Sequence, residues 1–112
     1  MDSDLAENFR LVAMDDRGHG LSDKPKDAYG NSDLWADDVQ GIISELSLDQ
    51  PVLCGWSYGE LIIADYLAKY GTEHIAGVNL VGAISKLGDR GRDGCYRRGF
   101  HLARFWVRSD RR

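Results

Sequence analysis

Val52-Leu53-Cys54-Gly55-Trp56-Ser57-Tyr58-Gly59 decides how the 112-residue sequence is read. Pro51 opens a short apolar run with strand composition, Val52-Leu53-Cys54, and the run breaks into Gly-x-Ser-x-Gly at Gly55 to Gly59. Directly after it, Leu61, Ile62, Tyr66 and Leu67 recur at helical spacing, and Gly71 stands where a helix C-terminal glycine belongs. A serine between two glycines at a strand-to-helix junction implies a sharp turn in which the two backbones pass close together. Such a turn forces Ser57 into a strained left-handed backbone and lifts its hydroxyl out at the carboxyl end of the strand. The first amides of the following helix, beginning with Tyr58 N–H, then point at the same spot and can hold an oxyanion.

Working outward, Phe9 to Met14 has strand composition and ends in Asp15-Asp16-Arg17-Gly18-His19-Gly20. Residues 1–8 resemble the end of a preceding helix, and Leu21 to Asn31 read as loop. Asn31 or Ser32 can cap a helix whose apolar positions Trp35, Val39, Ile42, Ile43 and Leu46 follow the 3.6 period. Ile75 to Ala83 forms a third strand, apolar enough to be covered on both faces. Strands alternating with helices predict an α/β fold with a parallel sheet, pairing Val52–Cys54 beside Val78–Leu80.

These residues resemble the α/β-hydrolase superfamily, close to its cofactor-free haloperoxidase and esterase-like members. Asp15-x-Arg17-Gly18-His19-Gly20-x-Ser22 is similar to the family segment after strand 4. Gly55 to Gly59 is similar to the family's nucleophile elbow after strand 5, and Val78-Asn79-Leu80-Val81 to strand 6. The resemblance implies a partial α/β-hydrolase fold (strands 4, 5 and 6 of a mostly parallel sheet with intervening helices) over residues 1–87. It also implies ester or acyl hydrolysis, or haloperoxidase-like perhydrolysis, with Ser57 as nucleophile and Tyr58 N–H as oxyanion donor. Gly55, Trp56 and Gly59 complete the elbow, and Trp56 and Tyr58 help to wall the acyl pocket. The resemblance likewise implies a small-molecule ester or acyl substrate and no metal or organic cofactor. Asp16, where an apolar residue or proline is common, and Glu60, where a small residue is usual, depart from the family pattern.

The family places its triad acid and histidine after the nucleophile. No residue here fills either role: His19 belongs to the turn after strand 4, His74 to the amino end of the third strand, and His101 to the tail. Gly82-Ala83-Ile84-Ser85 offers no acid after strand 6, Asp89 is a poor substitute, and Asp65 reads as a solvated helix residue. The resemblance further implies that strands 1 to 3 and their glycine-rich loop are missing. Strand 3 would lie between Phe9–Met14 and Val52–Cys54, so the Phe9–Met14 backbone needs water, a rearranged pairing or another chain. A non-catalytic remnant is therefore the competing reading.

Composition is that of a soluble globular chain: 43% hydrophobic, 29% charged and a net charge of −4. The sequence has no membrane-length apolar run and no signal-like N-terminus, and Cys54 and Cys95 show neither disulfide nor zinc spacing. A reduced, cytoplasmic setting follows as the expectation. The net charge conceals a break. Residues 1–87 carry 6 basic against 15 acidic groups, whereas 88–112 carry 8 arginines against 3 acids and no lysine. This second segment reads as an irregular Arg-rich tail, either frameshifted or a cap remnant. Its arginines (Arg97, Arg98, Arg104, Arg108, Arg111, Arg112) interleave with Tyr96, Phe100, Phe105 and Trp106, and Tyr96, Phe100 and Ala103 have helical spacing. Nucleic-acid or membrane binding is a minor reading of that pattern, and neither partner is expected.

Overall fold

The computed structural model describes residues 4–82 and 102–108. In chain order the elements are α1 (Asp4–Asn8), β1 (Phe9–Asp15), α2 (Asp33–Glu45), β2 (Val52–Trp56), α3 (Gly59–Tyr70), β3 (Gly77–Val81) and β4 (Leu102–Arg108). The four strands make one sheet in the order β1-β4-β2-β3.

Strands β2 and β3 pair in parallel, with Leu53 opposite Val78, Cys54 opposite Asn79 and Gly55 opposite Leu80. This is the pairing expected from the sequence. α3 makes the crossover between them, as a parallel pair requires. Its buried face is Gly59, Glu60, Ile62, Ile63 and Tyr66. α2 buries Trp35, Ala36, Val39 and Ile43, at positions that a 3.6-residue period puts on one side. The two helices pack on one another: Tyr66 Oη donates to Gln40 Oε1 at 3.1 Å, and Lys69 Nζ pairs with Asp37 Oδ1 at 2.6 Å. With Leu53 of β2, fully buried, they enclose the core, against which Val12, Met14 and Ile42 also pack. Val12 and Ile42 are both half-buried against this cluster.

The start of α2 separates the two capping candidates. Ser32 stands at the N-cap with helical backbone angles and makes no side-chain capping bond, whereas Asn31 Oδ1 accepts the Asp33 N–H at 2.9 Å. The helix ends on Ser47 in the left-handed region (φ 49), with Leu48 N–H reaching back to Ile43 O at 2.9 Å.

Two expectations need correction. β3 is not covered on both faces: Val78, Asn79, Leu80 and Val81 are all exposed, because β3 is the outer strand of the described sheet. The tail is not irregular throughout, since residues 102–108 form β4. Ala103 therefore belongs to a strand and not to the helix that its spacing with Tyr96 and Phe100 suggested. Tyr96 and Phe100, like Asp89, Cys95, Arg97, Arg98, His101, Arg111 and Arg112, lie outside the described residues.

β4 is antiparallel to both its neighbours. Its register sets Phe105 opposite Val12 and Leu53, and Arg104 opposite Ala13 and Cys54. β1 and β2 run parallel to each other with a one-strand gap between them, and their backbone donors and acceptors on the facing edges demand partners. β4 satisfies both edges at once. Of the three ways to pair Phe9–Met14, the chain uses a rearranged pairing. Among the described residues, no helix is long and apolar enough to cross a membrane.

Candidate active site

Ser57 occupies the step between the end of β2 and the start of α3 with φ 54, a left-handed backbone for a non-glycine residue. Its N–H donates to Val81 O at the end of β3 (3.2 Å), and its own carbonyl accepts Glu60 N–H at 3.1 Å. Tyr58 follows as the α3 N-cap (φ −61, ψ −27), its carbonyl taking the Leu61 N–H at 3.0 Å. The twelve-residue α3 thus directs the positive end of its dipole at the Ser57 step.

Gly55 explains how the turn is made this tight. A Cβ there would stand 2.8 Å from Ile63 Cδ1 and 2.9 Å from both Glu60 N and Gly59 C, so strand and helix backbones touch where the side chain is missing. Gly59 is buried as the first residue of α3. The aromatic flanks part company. Trp56, the last residue of β2, lies opposite Val81 and is 53% exposed. Tyr58 turns inward, its ring perpendicular to that of Trp35 at 5.2 Å. Trp35 meets Tyr29 edge-on at 6.2 Å, and Tyr29 meets His19 at 5.7 Å, so a line of rings runs from the β1–α2 loop to the residue after Ser57.

That loop faces the same edge of the sheet as Ser57. Met14 and Gly55 both lie opposite Ala103, two strand spacings apart, about 10 Å, so β1 and β2 end at the same level of the sheet. Arg17 donates to both carboxylate oxygens of Asp38 at 2.6 Å, and Leu21 N–H and Ser22 Oγ are held by Asp15. Asp16 is 2% exposed, and neither of its carboxylate oxygens has a hydrogen-bond partner among the described residues. Burial, with the Asp38 and Asp15 carboxylates nearby, pushes the Asp16 carboxyl up to about 7. The sequence marked Asp16 only as a departure from the family pattern, and Glu60, the other departure, is also buried.

Among the described residues, neither His19 nor His74 is hydrogen-bonded to Ser57; His19 Nδ1 lies 3.3 Å from Arg17 O, and His74 is exposed before β3. Asp65 is half-buried on α3, not fully solvated as expected. An open cleft of ≈ 540 Å³ lies elsewhere, between the β1–α2 loop and α2, lined by Asp15, Arg17, Asp37, Asp38 and Glu45 among others. None of the elbow residues lines it.

A sequence profile described as the alpha/beta hydrolase fold matches residues 1–92. The chain is 42% identical over 66 residues to a 2-(acetamidomethylene)succinate hydrolase of Mesorhizobium japonicum, covering 59% of this chain and 23% of the relative. It is 37% identical over 83 residues to a bifunctional esterase/perhydrolase of Acinetobacter calcoaceticus, covering 74% of this chain and 30% of the relative. The crystal structure of an esterase from Rhodococcus sp. ECU1013 superposes with a TM-score of 0.61 at 49% identity, covering 67% of this chain and 27% of the esterase. The chain spans less than a third of the length of each of these relatives.

Proposed function

Since the chain belongs to the α/β-hydrolase fold family, we propose that it carries the nucleophile half of a serine hydrolase site acting on small-molecule esters or acyl compounds. Ser57 attacks the carbonyl carbon of the substrate, and Tyr58 N–H at the head of α3 takes the negative charge that develops on the carbonyl oxygen. In an intact relative a histidine, oriented by an acid, would take the Ser57 proton and return it to the leaving group; the sequence identifies neither residue here. The observation that carries this reading is the left-handed backbone of Ser57 between β2 and α3, with Gly55 pressed against the helix. Strain of this kind persists where the surroundings over-determine it. We also infer a reduced, cytoplasmic setting from the spacing of Cys54 and Cys95.

The relatives include an esterase/perhydrolase, so perhydrolysis of a carboxylic acid is the second form of the same chemistry. Both run through a serine acyl intermediate and differ in whether water or peroxide attacks it. The test is a chimaera in which residues 9–82 replace the matched segment of the Rhodococcus esterase. Hydrolysis of p-nitrophenyl acetate should be retained and fall by at least about 10³-fold in Ser57→Ala, and a fluorophosphonate should label the Ser57 peptide. Activity that survives Ser57→Ala would remove Ser57 from the reaction.

A further inference from the structure

The buried carboxyl of Asp16 has no part in the chemistry at Ser57, and its surroundings are unfavourable to charge from each side that is described. Asp15 approaches it from the end of β1 and Asp38 from α2, both acidic. The guanidinium of Arg17, next in the chain, is taken up by both oxygens of Asp38. Two carboxylate oxygens therefore stand without donors in a site that excludes water. A neutral carboxylic acid is tolerated there at modest cost, whereas a carboxylate has neither solvation nor a counter-ion.

Asp16 is also the first residue of the β1–α2 loop, and the loop is seated by a short set of polar contacts around it. Gly18 N–H donates to Asp23 O at 2.8 Å, His19 N–H to Asp16 O at 2.9 Å, and Leu21 N–H to Asp15 Oδ2 at 2.9 Å. Tyr29 Oη closes the far side on Gly18 O at 3.0 Å. Because Asp16 belongs to this loop, lifting the loop carries its carboxyl toward water.

We propose that Asp16 is a proton-operated latch: as a neutral acid it lets the β1–α2 loop seat against α2, and on losing its proton it drives the loop outward. The group titrates near 7 with the loop seated and near 3.8 once solvated. The seated state therefore retains a proton that the displaced state releases, and opening becomes easier as pH rises between those values. Above about 7 both states are ionised and the effect levels off. Through Tyr29, Trp35 and Tyr58 the loop ends in the ring packed beside Ser57, so its displacement loosens the wall of the proposed site. The latch does not depend on Ser57 acting as a nucleophile.

The test is amide hydrogen exchange on the full chain from pH 5 to pH 9, with intrinsic rates divided out, following Gly18, His19, Leu21 and Ser22. Their protection should fall at least tenfold from pH 5 to pH 7 and stay level above pH 8. Asp16→Asn, neutral at every pH, should abolish the fall. Asp38→Asn removes one of the two repelling charges and should bring the level region to lower pH, which tests the latch even if Asp16→Asn fails to fold. Ser57→Ala should leave the profile unchanged. A flat profile in the native chain, or an identical fall in Asp16→Asn, would overturn the latch. So would loop amides no less protected than those of Ile62 and Leu67 at every pH, because the loop would then open only when the whole chain unfolds and not by itself.

Discussion

Ser57 and Val81 are joined by a backbone hydrogen bond, Ser57 N–H to Val81 O at 3.2 Å, so the residue with the left-handed backbone is tied to the end of the neighbouring strand. The bond extends the β2–β3 ladder one step past Trp56 and Val81, the last registered pair. It fixes the Ser57 backbone from outside the turn, which is how a non-glycine residue is held where isolated sterics disfavour it.

Glycine at position 57 should relieve that strain. A left-handed non-glycine residue costs roughly 1–2 kcal/mol, and glycine returns part of the gain through its freer unfolded chain. Ser57→Gly should therefore be more stable than Ser57→Ala by about 1 kcal/mol, read as a shift in urea midpoint at unchanged slope. Equal stability of the two variants would mean that Ser57 carries no strain.

Gly55 predicts the opposite sign. A methyl there meets Glu60 N and Gly59 C at 2.9 Å, and backbone atoms at the head of a helix cannot swing away as a flexible side chain can. Gly55→Ala should cost about 3 kcal/mol, the upper part of the usual overpacking range. Gly41, with nothing within 4 Å of its Cβ position, supplies the control: Gly41→Ala on exposed α2 should be neutral or stabilising in the same titration.

The parts of this fold that were legible in the sequence are those set by local pattern. β2, the turn at Ser57 and α3 were readable because a short apolar run, two glycines and a helical period follow one another without a gap. The buried stripe of α2 was readable from Trp35, Val39 and Ile43 for the same reason. β4 was not, because Leu102 to Arg108 gains its partners only from β1 and β2, 48 to 99 positions away. Its arginines dominated the reading, although Phe105, Trp106 and Val107 have strand composition. β3 was misjudged because apolar composition reports a capacity for burial, while neighbours decide whether Val78 and Leu80 receive it. Asp16 stood out in the sequence as unusual, but its burial and its lack of a donor belong to tertiary structure.

Asp16 also predicts how overall stability depends on pH. Below 3.8 the carboxyl is neutral in both folded and unfolded chains and contributes no difference. Between 3.8 and about 7 the unfolded chain gives up a proton that the folded chain keeps, so stability falls as pH rises. Above about 7 the whole penalty applies, on the order of 4 kcal/mol at 1.36 kcal/mol per unit. Asp16→Asn should be close to the native chain in stability at pH 4 and more stable at pH 8. Thermal melts at the two pH values check this, and an equal difference at both would remove Asp16 as the cause.

The 112-residue chain, purified by itself, should show no Ser57-dependent turnover. Neither described histidine is hydrogen-bonded to Ser57, and the sequence after Val81 offers no carboxylate where the family places one. Removing the serine or the histidine from a working triad costs roughly 10⁶-fold in rate, and further losses within the triad add little because its members act as a unit. An unactivated hydroxyl is a weak nucleophile at neutral pH, so the strained backbone of Ser57 alone does not compensate. The measurement is p-nitrophenyl acetate hydrolysis by the native chain beside Ser57→Ala, with both at background. Turnover well above background that vanishes in Ser57→Ala would overturn the expectation and make His101 the first residue to replace.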